Sequence, residues 1–150
     1  RGDARWLRTQ REQTRKKLRV KQAGGKTKTL DYPILKIIEG TQSTLAQNGY
    51  TILASMQTDI KAVYLTDRKT SPPSSLELTG FRNQYLLSIE KMSSAQSAIW
   101  VKADFEKFSQ NAHILKAGEN EIAEIEMRLI QEIQLSIEDP TPPKSLTPQK

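Results

Sequence analysis

Apolar residues in the first half of the chain recur at helical steps. Ile34, Ile38, Leu45, Ile52, Met56, Ile60 and Val63 follow one another at three, four or seven positions, which lays one seam along a helix. Asp31, with Pro33 in the first turn, supplies a start for it, and the pattern reaches about Leu65. Gly40 weakens such a helix by about 1 kcal/mol relative to Ala. Asn48-Gly49 divides it into two shorter helices or, as the lesser reading, turns a hairpin.

A loop follows from Asp67 to Ser75, around Pro72-Pro73. Ser74 and Glu77 then stand at capping-box spacing, which offers partners to orphaned N–H groups at a helix start. Leu78, Phe81, Tyr85, Met92, Ala95 and Ile99 continue the three-or-four spacing, and Ala98, Val101, Phe105, Phe108, Ala112 and Leu115 carry it on in a shifted register. Lys116-Ala117-Gly118 ends it with a cation and a Gly stop. Unbroken, this second helix spans ~60 Å at the α-helical rise, so the two seams predict an extended antiparallel hairpin.

The segment from Glu121 to Glu138 reads two ways. Ile122, Ile125, Leu129, Ile130, Ile133 and Ile137 share one helical face, yet residues 125–137 also alternate nearly as a β-strand would. Thirteen residues is long against the usual five or six of a strand, and Glu, Gln, Arg and Leu prefer helices. Helix is therefore the expectation, with strand as the lesser reading. The fold class expected is mainly α, an elongated helical hairpin or small coiled-coil-like bundle over residues 29–138. A Pro-rich tail over 139–150 has the composition of disorder.

Charge changes the picture at the N-terminus. Residues 1–28 hold 11 of the chain's 23 Lys and Arg against two acids, a formal +9, while the other 122 residues carry 12 basic and 15 acidic side chains, net −3. Ala4 to Gln22 has no Gly or Pro and is rich in helix formers, but Trp6, Leu7, Leu18 and Val20 form no stripe. This arm is thus helical or disordered, and Ala23 to Thr29 reads as a flexible hinge. On a helix, Arg1, Arg5, Arg8, Arg11, Arg15 and Arg19 occupy an arc of about 120°. Guanidinium forks suit phosphates, and neutralising several phosphates releases counterions.

The polyanion-binding set expected is Arg5, Arg8, Arg11, Arg15, Lys16, Lys17, Arg19, Lys21, Lys26 and Lys28. Nucleic acid leads as its partner, ahead of an acidic protein surface and an anionic membrane face; the bland alternative is a solvated charge run. The missing apolar face weakens the membrane case. Lys16-Lys17-Leu18-Arg19 resembles a nuclear localisation cluster, and a cytoplasmic or nuclear setting is favoured. No run of ~18 apolar residues occurs. The chain begins at Arg1 without Met, which leaves room for an upstream membrane segment and for a second reading, the soluble portion of a membrane-anchored secretion or envelope-assembly machine.

Enzyme chemistry finds little footing. The chain has no Cys and one His, His113, which nearly exhausts the common nucleophile and general-base pairings and leaves no Cys or second His for a metal site. Gly25-Lys26-Thr27 resembles the end of a phosphate-binding loop, but the Gly required five residues earlier is Val20. No catalytic residue, metal or cofactor is assigned. The expected function is a non-enzymatic interaction and assembly subunit whose helical seams meet a partner protein or a second copy, with Trp100, Phe105 and Phe108 as the large anchors.

Overall fold

The computed structural model describes residues 24–74 and 76–139. Its centre is a pair of long antiparallel strands, β5 (Thr79–Lys91) and β6 (Ser97–Ser109), in register from Thr79 opposite Ser109 to Lys91 opposite Ser97. β1 (Lys26–Leu30) lies along β6, and α1 (Ile34–Gln47) then crosses the whole sheet to its far edge. There β2 (Ile52–Gln57) turns into β3 (Lys61–Thr66), which pairs with β5, giving the order β1-β6-β5-β3-β2. Two short strands, β4 (Lys69–Ser71) on β5 and β7 (Ile114–Leu115) on β6, complete an antiparallel sheet, and α2 (Glu119–Glu138) closes the fold.

Both helices pack on one face of this sheet. Period-two alternation sends Tyr85, Leu87 and Ile89 of β5 and Ile99, Val101 and Ala103 of β6 to that face, and the register sets Leu87 beside Val101 and Ile89 beside Ile99. Ile37 and Leu45 of α1 and Leu129, Ile130 and Ile133 of α2 fill the layer above them. The reverse face is also apolar at its middle, where Val63, Leu65 and Trp100 are buried.

The expected helical hairpin is therefore corrected to a mixed α/β fold. Of the seam from Ile34 to Val63, only its first part is helical. Asn48 caps α1, Gly49 adopts φ +82°, and Tyr50 N–H donates to Leu45 O at 2.9 Å, so the helix stops and β2 begins. The seam from Leu78 to Leu115, including the anchors Trp100, Phe105 and Phe108, lies largely on β5 and β6, and no long helix or coiled coil joins it. Apolar side chains on both faces blur the alternation by which strands are recognised.

Ser74 makes the side-chain bonds of a capping box, accepting from Leu76 N–H at 3.2 Å and Glu77 N–H at 3.0 Å, but they close a turn ahead of a strand. Residues 26–29, expected as hinge, belong to β1. The lesser strand reading of 125–137 is not observed, since α2 spans the segment as one helix. The Pro-rich tail from Pro140 lies outside the described residues.

Candidate functional site

Two features draw on chemistry beyond the core. The first is the point where the basic arm joins the fold. Trp100 Nε1 donates to Gly24 O at 2.8 Å. Gly25 sits at φ +76°, and a Cβ there would lie 2.7 Å from both Trp100 Nε1 and Val101 O, so only glycine lets the chain pass. Gly25 leads into a strand and not a helix, which removes the phosphate-loop geometry.

Of the ten expected polyanion contacts, Lys26 and Lys28 fall within the described residues. Lys26 is exposed, and Lys28 Nζ donates to Gln134 Oε1 of α2 at 2.8 Å. Arg5, Arg8, Arg11, Arg15, Lys16, Lys17, Arg19 and Lys21 lie outside the described residues. The three expected partner anchors are occupied differently: Trp100 is buried and holds Gly24, Phe105 rests on Phe81 with ring centroids 5.6 Å apart, and Phe108 is half-buried opposite Gly80.

The second feature is a cleft of about 430 Å³ between α2 and the β4 end of the sheet. Asn83 of β5 faces it and is 2 % exposed. Its Nδ2 donates to Tyr50 Oη at 3.0 Å, while its Oδ1 meets no partner among the described residues. Tyr50 meets Tyr85 edge-on with centroids 5.0 Å apart, and Phe81 and Phe105 form the remaining aromatic wall. These side chains converge because Phe81, Asn83 and Tyr85 alternate along one strand.

Charged groups ring the opening. Lys69 Nζ donates to Asn48 O at 2.6 Å and stands 5.4 Å from the centroid of Tyr50. Asn48 Nδ2 donates to Glu132 Oε1 at 2.8 Å, and Glu121 pairs with Lys107 at 3.2 Å. Glu124 and Arg128, one helical turn apart on α2, complete the rim. Burial pushes the Tyr85 hydroxyl well above the ordinary tyrosine range, and neighbouring Tyr50 and Glu132 add to it. Burial also raises Tyr50, against the Asn83 hydrogen bond, which lowers it. Both phenols are thus held neutral, as hydrogen-bonding groups.

Phe81 and Tyr85 belong to the apolar seam, but Asn83 between them gives no signal at helical spacing. A two-residue step from Phe81 through Asn83 to Tyr85 is what marks the cleft wall. His113 is exposed beyond the end of β6, its backbone N–H donating to Ser109 Oγ at 3.3 Å. Among the described residues no group of three or more His, Cys, Asp or Glu side chains is placed to hold a metal ion. In comparison with known proteins, the chain matches no family model and no curated protein.

Proposed function

We propose that this chain is a non-enzymatic binding and assembly module whose basic N-terminal segment engages a polyanion, nucleic acid first. The observation that carries this reading is the segregation of charge, +9 in residues 1–28 against −3 in the rest. A net-negative body leaves the cationic segment as the natural contact for phosphates. The Trp100–Gly24 hydrogen bond and the pairing of β1 with β6 support it further, because they tether the end of the segment to a rigid sheet. A tethered cationic segment keeps its partner beside the domain that carries it.

The test compares the full chain with a chain beginning at Gly24, each titrated with duplex DNA, single-stranded RNA and anionic vesicles across a salt series. Cutting before Gly24 leaves β1 whole, whereas a later cut removes Lys26 and Lys28 from their register with β6. Nine Lys and Arg residues are removed with residues 1–23. If half or more of them meet phosphates, log K falls with log salt at a slope of about −4 or steeper, lost with the segment. Equal binding by the two chains refutes the reading. Binding to vesicles alone replaces nucleic acid with lipid headgroups and favours the membrane-anchored alternative.

A further inference from the structure

We propose that the N-terminal segment, residues 1–23, folds back across the sheet face opposite the two helices and covers Val63, Leu65 and Trp100. These side chains share that face, since Trp100 stands opposite Ser88 and Ser88 opposite Val63, with Leu65 two residues further along β3. Among the described residues no helix or strand packs over them. Yet Trp100 and Val63 are each 4 % exposed and Leu65 is 6 % exposed. An indole on a bare sheet keeps one ring face in water, and its neighbours across the strands, Ser88 and Thr27, are too small to hide it. The shielded positions form a band across β6, β5 and β3, with exposed Thr27 and Met56 at its ends and exposed Lys102 and Glu90 along its flanks. A single segment laid across the strands leaves such a band. A second copy does not account for it, because these exposures are those of one chain alone.

The chain enters the fold at the edge of that band. Trp100 Nε1 holds Gly24 O at 2.8 Å, and a Cβ on Gly24 would meet Cε of Lys102, a side chain of the same face. Gly24 and Gly25 have φ of +74° and +76°, which turns the chain off the line of β1 instead of letting it continue along β6. The place vacated beside Ala103 is taken by the Glu126 carboxylate. Residues ahead of Gly24 are thereby delivered to the face that carries Trp100.

The segment has the reach and the side chains for this contact. Val63 lies two strands from Trp100, about 10 Å at the usual spacing. Six residues span about 9 Å as a helix and about 20 Å extended, so Leu18 reaches the band from Gly24 in either form. Leu18, Val20, Trp6 and Leu7 are the apolar side chains available to cover it. On a helix all four fall outside the arc of arginines, which leaves the guanidinium groups to solvent. The docking does not rest on the polyanion reading, because the segment can lie on the sheet whether or not its arginines meet phosphates.

The test is paramagnetic NMR on the full chain. The chain has no Cys, so Thr14→Cys provides a single nitroxide site within the segment. Amides of Val63, Leu65 and Ser88 should lose their signals, while those of Leu35 and Lys36 on the exposed side of α1 should keep theirs. Leu18→Glu with Val20→Glu should restore the lost signals, with the amide shifts of Ile37 and Ile130 as the control for folding. An equimolar mixture of spin-labelled chains and isotope-labelled chains without the spin label should show no loss. Loss confined to the residues next to Gly24, equal loss on both sides of the sheet, loss that the two glutamates leave unchanged, or loss of the same strength in the mixture would each overturn the proposal, the last by making a second copy the cover.

Discussion

Glu126 Oε2 accepts a hydrogen bond from the backbone N–H of Ala103 at 2.9 Å in the interior. Ala103 lies in the stretch of β6 between Val101, the last residue opposite β1, and Lys107, the first opposite β7. Among the described residues that stretch has no strand beside it on this side. A carboxylate from α2 therefore stands in for the missing strand and satisfies an N–H that the sheet leaves open. Glu126→Ala should cost about 2 kcal/mol in urea denaturation, since it orphans a buried donor bonded to a charged group. Glu126→Gln keeps an acceptor oxygen and should cost about half as much or less. Equal losses in the two variants would place the contribution of Glu126 in packing and not in this bond.

At Gly40, α1 packs tightly against α2. A Cβ at Gly40 would stand 2.8 Å from Ile137 Cγ1 and 3.0 Å from Ser136 Oγ. Helix propensity favours Gly40→Ala by about 1 kcal/mol, but overpacking a tight contact costs about 1–3 kcal/mol. We expect a net loss of about 1 kcal/mol by chemical denaturation. Ile137→Ala opens space beside it, so the double variant should recover part of the loss as a coupling of about 1 kcal/mol. Strict additivity would mean that the helices part without resistance.

Helix boundaries were readable where chemistry marks them, and strands were obscured where burial is two-sided. Pro33 opens α1 and Asn48-Gly49 closes it, and the length and composition of 119–138 decide for helix. In β3, Ala62 to Thr66 are buried without interruption, so the run shows no period of any kind. In β5 the helical spacing drawn through Phe81, Tyr85 and Met92 passes over Leu87 and Ile89, whose two-residue steps from Tyr85 mark the inward face of the strand. The cleft was less legible still, because its defining group is one Asn made distinctive by tertiary burial.

Alkaline pH should destabilise the fold. Burial raises the hydroxyls of Tyr50, Tyr64 and Tyr85 above the ordinary value of 10.0, with Tyr85 the most strongly shifted. Below pH about 10 these phenols are protonated in both the folded and unfolded chain, and their stabilising contribution is fully present. As pH rises past that point the unfolded chain releases protons that the folded chain retains, so stability falls. Denaturation midpoints should hold steady from pH 8 to about 10 and decline above it, with tyrosinate absorbance appearing together with unfolding. Tyr85→Phe should flatten the decline. Tyrosinate formation well ahead of unfolding, at the ordinary pKa, would contradict the burial of these groups.

The Trp100 indole should govern the edge of the sheet more than its centre. Its N–H holds Gly24 O, its ring closes over Gly25, and among the described residues β1 pairs with no strand but β6. Trp100→Phe keeps an aromatic ring but leaves the Gly24 carbonyl without its donor, a loss of about 1 kcal/mol. Residues 26–30 follow directly on that contact at the edge of the sheet, whereas the β5 amides lie between β3 and β6. Amide exchange should therefore accelerate several-fold over Lys26 to Leu30 while Leu87 and Ile89 keep their protection, a local opening with little change in global stability. If the tether matters to the proposed polyanion contact, the salt slope of binding should remain and the affinity fall, because the charges stay on the chain while Gly24 is released from the sheet. Uniform acceleration across β1 and β5 would show instead that Trp100 supports the whole sheet.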